Sequence, residues 1–379
     1  MKFAHLGDLH LGMTMNHVNL VEDQKYILES ILNLLQKEKP DAVLIAGDVY
    51  DKAVPGAEAT TLLGDFLADL NVAGLPVFII AGNHDSSERL SYASELLQKQ
   101  NVYISGRFDG KMPHYTLRDD EGEVNIPFLR PGHVNRYIED EKDKVKDYTS
   151  AVRMAIELSS VDWTARNVII SHQFVTGAFV HEEGSEQLMV GGTDQVSISA
   201  YEGFEYVALG HIHSFQKLKD HPAYYCGTPL KYSFSEEHDH KGVIFVELKE
   251  KGNVHVYQRE LVPLHDMRTL KGKYEDILVQ SKEDEHNMDY LRVILTDEDE
   301  VEDAVRHLRA VYPNVLRLEY DNARIRQMME EMPVNDKELS PMEIFSLFFV
   351  ERNGREMNEK EEAIAREMIV KLFDEEEGQ

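Results

Sequence analysis

Cysteine is almost absent from this chain, which has only Cys226 among its 379 residues. A single cysteine cannot form an internal disulfide, and so low a content is typical of a reducing compartment. Long apolar runs are also missing: no stretch approaches the length of a membrane span, and the N-terminal MKFAHLGD lacks the basic-then-apolar pattern of a signal peptide. Together these absences predict a cytoplasmic protein.

Positive charge is scarce as well, with 40 basic residues against 69 acidic ones and a net charge of −29. Nucleic-acid binding relies on Lys and Arg, so the balance argues against it at first sight. Bound metal ions can supply positive charge that a sequence count misses, however. The acidic residues also gather late in the chain, in runs such as TDEDEVED and FDEEE. Net charge therefore indicates solubility more than it identifies a partner.

The chain has no G-x-x-x-x-G-K-[ST] motif, so we do not expect it to bind ATP through a phosphate loop. The first half alternates buried-type strands with segments of helical periodicity, which is typical of an α/β fold. Short strands follow GHIHS, a small strand–helix–strand unit covers about 290–320, and the remainder is helical. The length and these changes of texture predict three parts, 1–266, 267–325 and 326–379.

Polar residues follow several strands at the point where each strand ends. In open α/β sheets, ligands bind beyond the carboxyl ends of the strands. Taken singly, each Asp is better interpreted as a turn or cap residue, and a histidine pair such as that in GHIHS is more often hydrogen-bonded locally than metal-bound. Their joint occurrence favours a site for divalent ions, and the lack of cysteine ligands argues against structural zinc. The residues are Asp8, His10, Asp48, Asp51, Asn83, His84, Asp85, His172, His211 and His213.

These motifs, D-x-H, G-D-x-x-D, G-N-H-D, a lone His and G-H-x-H, resemble those of the calcineurin-like metallophosphoesterases. The resemblance implies a sandwich of two mixed β-sheets flanked by helices, followed by a small α/β capping domain and a helical tail. It also implies two divalent metal ions. Asp8, His10 and His213 would hold the first, and Asn83, His172 and His211 the second. Asp48 would bridge the two.

The resemblance further implies a catalytic pair, His84 and Asp51. His84 would face the scissile phosphate and assist the leaving group, without binding metal. The carboxylate of Asp51 would orient and charge the His84 imidazole. Asp85 is interpreted as a turn or supporting residue.

The flanking segments AGDVYDKAVPGAEA, IAGNHDSSERL and YYCGTPLKYSFSE resemble one branch of the family, the SbcD nucleases of bacterial DNA repair. That branch implies a DNA exonuclease and single-strand or hairpin endonuclease of double-strand-break repair, with Mn²⁺ as the expected ion. It also implies a coiled-coil ATPase partner of SbcC type and a homodimer within a heterotetramer. Two alternatives are a metallophosphoesterase acting on a small phosphodiester or nucleotide, and a scaffold without activity.

Contacts with DNA and protein partners are expected at three places. Asn16, His17, Lys52 and Arg89 are candidate DNA contacts, although each could be an ordinary solvated residue. The tail would bind the ATPase through an apolar cluster that could instead pack on its own domain, formed by Ile344, Phe345, Leu347, Phe348 and Phe349. The helices containing Leu62, Phe66, Leu67 and Tyr92 are candidates for the dimer contact, unless these positions belong to the core.

Overall fold

The computed structural model describes most of the chain up to residue 322 and isolated positions after it. The described residues are 1–106, 108, 110, 112–119, 122–129 (backbone only), 134, 145, 147–180, 195–299, 301–322, 342, 345, 346, 349, 357, 358, 361, 362 and 364–366. Contacts divide the chain into two compact units, Met1–Tyr320 and Asp321–Gln379. In the part of the chain described, no helix combines the length and apolar character needed to cross a membrane.

Strands dominate the first unit. In chain order they are β1 (Lys2–Leu6), β2 (Thr14–Met15), β3 (Val18–Asn19), β4 (Ala42–Ala46), β5 (Val77–Ile80), β6 (Val102–Ser105), β7 (His114–Asp119), β8 (Gly122–Leu129), β9 (Arg166–His172), β10 (Tyr206–Gly210), β11 (Gln216–Lys217), β12 (Ala223–Tyr225), β13 (Gly242–Leu248), β14 (Val254–Glu260), β15 (Met267–Gly272), β16 (Tyr290–Leu295) and β17 (Val315–Tyr320). The helices are α1 (Val21–Glu38), α2 (Ala57–Val72), α3 (Ser87–Leu90), α4 (Ser94–Gln98), α5 (Tyr148–Leu158), α6 (Tyr274–Gln280) and α7 (Ala304–Val311).

The first large sheet has the strand order β14-β13-β1-β4-β5-β6. Strands β1, β4, β5 and β6 run parallel, whereas β13 pairs with β1 in the antiparallel sense, so the sheet is mixed. β4 is buried along its whole length, AVLIA, as expected of a parallel strand covered on both faces. One covering layer is formed by α1 and α2, whose apolar residues join one core with the outward side chains of these strands.

The second sheet has the order β11-β12-β10-β9-β8-β7 and is also mixed. Strands β8, β9, β10 and β12 run parallel, and the two edge strands pair in the antiparallel sense. Its outer face packs against α5. The expected sandwich of two mixed sheets flanked by helices is therefore confirmed.

The core between the two sheets follows from strand alternation. Phe3, Leu44 and Phe78 point inward from the first sheet and meet Ile170 and Tyr206 of the second. Their neighbours along each strand, such as Ala4 and Val43, belong instead to the helix-covered core. Adjacent residues of one strand thus serve two different cores.

Strands β15, β16 and β17 form a separate parallel sheet, the cap sheet, which packs on α6 and α7 around its own apolar cluster. It begins at Met267, where the sequence texture predicts a new part. The cap sheet and residues 1–266 nonetheless belong to one compact unit. The three-part division of the chain stays a prediction.

One predicted helix is split. The segment SERLSYASELLQ is expected to form a single helix, but the structure has α3 and α4 with a break at Ala93, whose φ is +60°. A left-handed residue cannot continue a right-handed helix, so the chain turns there. The N-cap is as predicted: the Ser86 hydroxyl accepts a hydrogen bond from the amide of Arg89.

Candidate metal centre

The polar residues predicted at strand ends lie together at one edge of the sandwich. Strands β1, β4 and β5 of the first sheet and β9 and β10 of the second all end there, because their parallel arrangement brings the carboxyl ends to the same side. The edge is therefore built from both sheets. Most of its side chains are buried, but Asn83 and His84 are exposed and mark the open mouth.

Four of these residues have left-handed backbones. Asp8, His10 and Asp48 have φ values of +50°, +44° and +44°, and His211 has +103°. Few residues other than glycine adopt such angles, and the strain persists only where surrounding structure enforces it. Main-chain hydrogen bonds do so here: the amide of Asp8 donates to Gly47 O at 3.0 Å, and that of His10 to Asp48 O at 3.0 Å. Strained backbones after three strands, β1 and β4 of the first sheet and β10 of the second, indicate a functional site.

One group of side chains converges on Asn83. The Nε2 atom of His172 lies 2.9 Å from Asn83 Oδ1 and 3.2 Å from Asp48 Oδ2. The Nδ1 atom of His211 lies 3.0 Å from the same amide oxygen. Candidate ligand atoms of Asp48, His172 and His211 all lie within 4.8 Å of one another. These are the residues expected to hold the second metal ion.

A second group surrounds His10. The Nε2 of His10 is 3.9 Å from Asp48 Oδ2, and its ring contacts those of His84 and His213 edge-on, at centroid distances of 4.8 and 5.1 Å. Asp8 lies at the base of the centre, where its two carboxylate oxygens accept from the amide of His211 at 3.0 and 3.1 Å. Asp48 Oδ2 therefore faces both groups, the arrangement expected of a bridging carboxylate.

The chemistry of His10 fits a metal ion. His10 is 2% exposed, yet neither ring nitrogen has a hydrogen-bond partner among the described residues. An imidazole buried without a partner is costly, and coordination would satisfy it. Carboxylate, amide and imidazole donors together suit hard to borderline divalent ions. The donor set and the unpaired histidine are therefore both explained by a cation.

The electrostatics agree. Burial lowers the pKa of His10 and of His211 to about 3, so both are neutral, the form that binds metal. Burial also disfavours charge on His172, but the Asp48 and Asp8 carboxylates together outweigh it and raise the pKa of that histidine to about 9, so a metal ion at this position would displace a proton. The pocket thus favours positive charge beside Asp48, as a cation site requires.

The predicted contact between His84 and Asp51 exists but differs in its atoms. His84 Nδ1 lies 2.9 Å from the main-chain carbonyl oxygen of Asp51, whereas the Asp51 carboxylate faces His10 Nδ1 at 3.9 Å. The amide of Asp51 donates to Leu11 O at 3.2 Å, which fixes the backbone of this loop. A carbonyl can only accept, so His84 carries a proton on Nδ1 and presents Nε2 outward. The main-chain carbonyl of Asp51, and not its carboxylate, is thus the atom that contacts His84; the catalytic role of the pair stays a prediction.

Asp85 has the supporting role expected of it. Its buried carboxylate accepts main-chain hydrogen bonds from Val49, Tyr50 and Gly82 at 2.9–3.0 Å. It thereby joins the loops that follow β4 and β5 and holds Asp48 beside Asn83. A single carboxylate with three amide donors is a rigid clamp.

Sequence reasoning missed a second set of supports. Glu236 lies 3.3 Å from His213 Nδ1, and Gln24 donates to His10 O at 2.7 Å. Tyr232 lies between them, donating to Leu9 O at 2.7 Å. No pattern in the sequence separates Glu236 from its neighbour Glu237, and Gln24 looks like an ordinary helix residue. Only the packed structure reveals them.

The candidate contacts lie as follows. Asn16 and His17 form the exposed tip of the β2–β3 hairpin, and Lys52 and Arg89 are exposed. Phe66 and Leu67 are buried in the core beside α1, and Leu62 packs against it, which supports the alternative that these three are core residues. Tyr92 is 82% exposed. In the tail, Phe345 is exposed and Phe349 half-buried; Ile344, Leu347 and Phe348 lie outside the described residues.

The chain resembles known proteins over most of its length. Residues 1–215 match the family model described as calcineurin-like phosphoesterase, and residues 263–353 match one described as type 5 capsule protein repressor C-terminal domain. A curated relative from Staphylococcus epidermidis, named as the D component of the nuclease SbcCD, is 31% identical over 84% of this chain and 85% of its own length. One of the same name from Staphylococcus saprophyticus is 28% identical over 99% of both chains. A solved dimetal phosphatase from Danio rerio covers 70% of this chain and 98% of its own at 14% identity, with a TM-score of 0.41, a likeness too distant to bear on function.

Proposed function

Since the chain belongs to the calcineurin-like phosphoesterase family, we propose that it is a metal-dependent DNA nuclease and the nuclease component of an SbcCD-type complex. Its activities would be exonuclease on duplex ends and endonuclease on single strands or hairpins, in double-strand-break repair and recombination. A coiled-coil ATPase of SbcC type would supply the ATP hydrolysis for which this chain has no phosphate loop. Such a nuclease meets its substrate in the cytoplasm, at the nucleoid.

The observation that carries the proposal is the convergence of seven candidate ligands, one of them the buried His10, whose ring nitrogens have no hydrogen-bond partner among the described residues. Asp8, His10 and His213 would hold one divalent ion, and Asn83, His172 and His211 the other, with Asp48 between them. Mn²⁺ is the ion we propose, since oxygen and imidazole donors are both present. Two such ions would polarise the phosphodiester and lower the pKa of an attacking water.

The protein's own groups would complete the reaction. Asn83 and His84 are exposed at the mouth and would meet the phosphate first. With Nδ1–H held by Asp51 O, the imidazolium form of His84 would direct its Nε2–H towards the leaving oxygen, give up that proton and remain as the neutral Nδ1–H imidazole. The exposed residues Asn16, His17, Lys52 and Arg89 are our candidates for contacts with the flanking DNA backbone.

Assembly is the least constrained part of the proposal. We propose a homodimer within a heterotetramer with the ATPase. Tyr92 is 82% exposed and Leu96 65% exposed, so the α3–α4 segment offers apolar surface for a second copy. For the ATPase we propose the tail cluster around Phe345 and Phe349.

The test is cleavage of labelled hairpin and linear duplex DNA by the purified protein with chelator, Mg²⁺ or Mn²⁺. His84→Ala is the active-site variant, and His255→Ala, which replaces an exposed histidine of β14, is the matched control. We expect Mn²⁺-dependent cutting that His84→Ala slows by ~10²–10⁴-fold and His255→Ala retains. A chromogenic phosphodiester run in parallel covers the alternative: turnover of that ester with no DNA cutting, even with the ATPase added, would replace the nuclease with a small-phosphodiester hydrolase.

A further inference from the structure

His213 is held by an anchored carboxylate. Glu236 Oε1 lies 3.3 Å from His213 Nδ1, and the same Glu236 side chain is bound by Lys241 Nζ at 2.6 Å. Lys241 also donates to His213 O at 2.9 Å. Glu236 is 1% exposed and Lys241 7% exposed, so water does not compete for these bonds. Glu236 therefore fixes the orientation of the His213 ring through Nδ1.

His10 is held by a connected group. Gln24 donates to His10 O at 2.7 Å and to the Tyr232 hydroxyl at 3.1 Å, and it accepts from the amide of Gly12 at 2.9 Å. The amide of Tyr232 in turn contacts Glu236 Oε2 at 3.4 Å. Gln24, Tyr232 and Glu236 thus form one contiguous support beneath both histidines of the first metal position.

The residue next to each support binds the cap sheet. Glu237 follows Glu236 and accepts from the Thr269 amide at 2.7 Å and from the Thr269 hydroxyl at 2.6 Å, on β15. Asp23 precedes Gln24 and accepts from the hydroxyl of Tyr290, on β16, at 2.7 Å. Adjacent residues on one backbone cannot move independently. We therefore expect a displacement of the cap sheet to shift the residues that support His10 and His213.

From this we infer that Asp23–Gln24 and Glu236–Glu237 are positioning residues that couple the cap sheet to the first metal position, the one formed by Asp8, His10 and His213. The inference rests on the proposed metal centre. It adds that affinity for one ion of the two depends on how the cap sheet is seated. Anything that shifts the cap sheet, DNA or a protein partner, would then change the occupancy of one ion.

The second position is supported from elsewhere. The Nδ1 of His172 faces Ala46 O, at the end of β4, at 2.8 Å. His172 ends β9, and β9 pairs with β10, which leads to His211. These anchors belong to the interior of the sandwich, so we expect the second position to be independent of the cap sheet.

The experiment measures Mn²⁺ binding to the chelator-treated protein by calorimetry. Tyr290→Phe combined with Thr269→Val removes the two hydroxyl bonds that join the cap sheet to Asp23 and Glu237, with little change in side-chain volume. Tyr312→Phe is the matched control. It also removes a tyrosine hydroxyl bond, but one to Asp284 at 3.0 Å, which does not involve Asp23 or Glu237. Each is measured alone and in two backgrounds, His172→Ala and His213→Ala, which disable the second and the first position respectively.

We expect the double variant to weaken Mn²⁺ binding about 2- to 30-fold in the His172→Ala background, the range typical of coupling networks. In the His213→Ala background it should have no effect, and Tyr312→Phe should have none in either. Equal weakening of both positions, or of neither, overturns the inference. Wild-type protein that binds fewer than two ions overturns the proposed centre itself, which separates the two failures.

Coupling is reciprocal, so Mn²⁺ binding must also stabilise the contacts of the cap sheet with Asp23 and Glu237. The Thr269 amide, which donates to Glu237, reports this in a hydrogen-exchange experiment. We expect Mn²⁺ to slow its exchange in the His172→Ala protein and not in the His213→Ala protein. If Mn²⁺ left the exchange rate of the Thr269 amide unchanged in both variants, the coupling would be contradicted, even if the Mn²⁺ affinities had changed.

Discussion

His84 and His10 are neighbours with opposite surroundings: the first is exposed at the mouth, the second buried and unpaired. We therefore expect His84→Ala to retain both metal ions and to lose rate by ~10²–10⁴-fold, the usual contribution of a group that moves a proton. Single-turnover cleavage with metal analysis measures both quantities. Because His84 also lies within ligand distance of His10 and Asp48, a fall in metal content would make it a ligand instead.

Asp48 faces both groups of candidate ligands, so its loss should empty both positions. We predict that Asp48→Ala binds neither ion and cuts no DNA while keeping its fold. Metal analysis and circular dichroism measure these outcomes. Asp41→Ala, at an exposed residue before β4, is the control. An Asp48→Ala protein that is metal-free yet still cleaves DNA would refute the bridging role.

His5 should make stability depend on pH. It is buried between the sheets with Nδ1 2.9 Å from the Tyr206 hydroxyl, and burial lowers its pKa to about 3 from 6.5. Between those values the unfolded chain binds the proton and the folded one does not, so this contribution to stability is lost as pH falls below about 6.5. The loss is at most about 1.4 kcal/mol per pH unit.

His5→Gln keeps a polar group but cannot titrate, so it isolates this effect. Denaturant unfolding of the chelator-treated proteins at pH 7.5 and 4.5 measures it. The wild type should lose more stability than the variant over this range, since all other groups are shared. Parallel losses in the two proteins would show that His5 is not buried in the neutral form.

Among the elements, β4 and β10 approach each other closely at Gly210. A Cβ there would lie 1.9 Å from Ala46 O and 2.9 Å from His172 Nδ1. Gly210→Ala should therefore destabilise the protein by about 1–3 kcal/mol and displace His172. Gly64→Ala is the contrast, because no atom lies within 4 Å of a Cβ in that turn of α2; it should stabilise by about 0.5–1 kcal/mol. Thermal unfolding measures both changes in stability. Mn²⁺ affinity should fall only in Gly210→Ala, because only that variant displaces His172.

The elements also show how far sequence reasoning reaches. Strands such as AVLIA, and ligands directly after them, were predictable because apolar runs and strand ends have local signatures. The Asp51 carbonyl and the Glu236–His213 contact were not, because they depend on how distant loops pack. Likewise, the periodicity of SERLSYASELLQ gave no sign of the left-handed Ala93.

For the whole molecule, the centre joins the two sheets. Its candidate ligands come from β1, β4 and β5 on one side and β9 and β10 on the other. We therefore expect chelation to lower the melting temperature, and Mn²⁺ at 100 times its dissociation constant to add about 2.7 kcal/mol. Calorimetric scans with Mn²⁺ or chelator measure this, and Asp48→Ala should show no response. If Mn²⁺ and chelator left the melting temperature of the wild type unchanged, metal binding would not contribute to the stability of the two-sheet fold.

The antiparallel pairing of β1 with β13 has a consequence during synthesis. The first strand made, Lys2–Leu6, pairs on one side with a strand that ends at Leu248, and His213 precedes that strand. At about 5–20 residues per second, the ribosome adds the intervening chain in about 12–50 seconds. Until then the first sheet lacks the strand that pairs with β1 on this side, although the last of the seven candidate ligands, His213, has already been made. A chain that ends before β13 would therefore carry all seven candidate ligands on an incomplete first sheet.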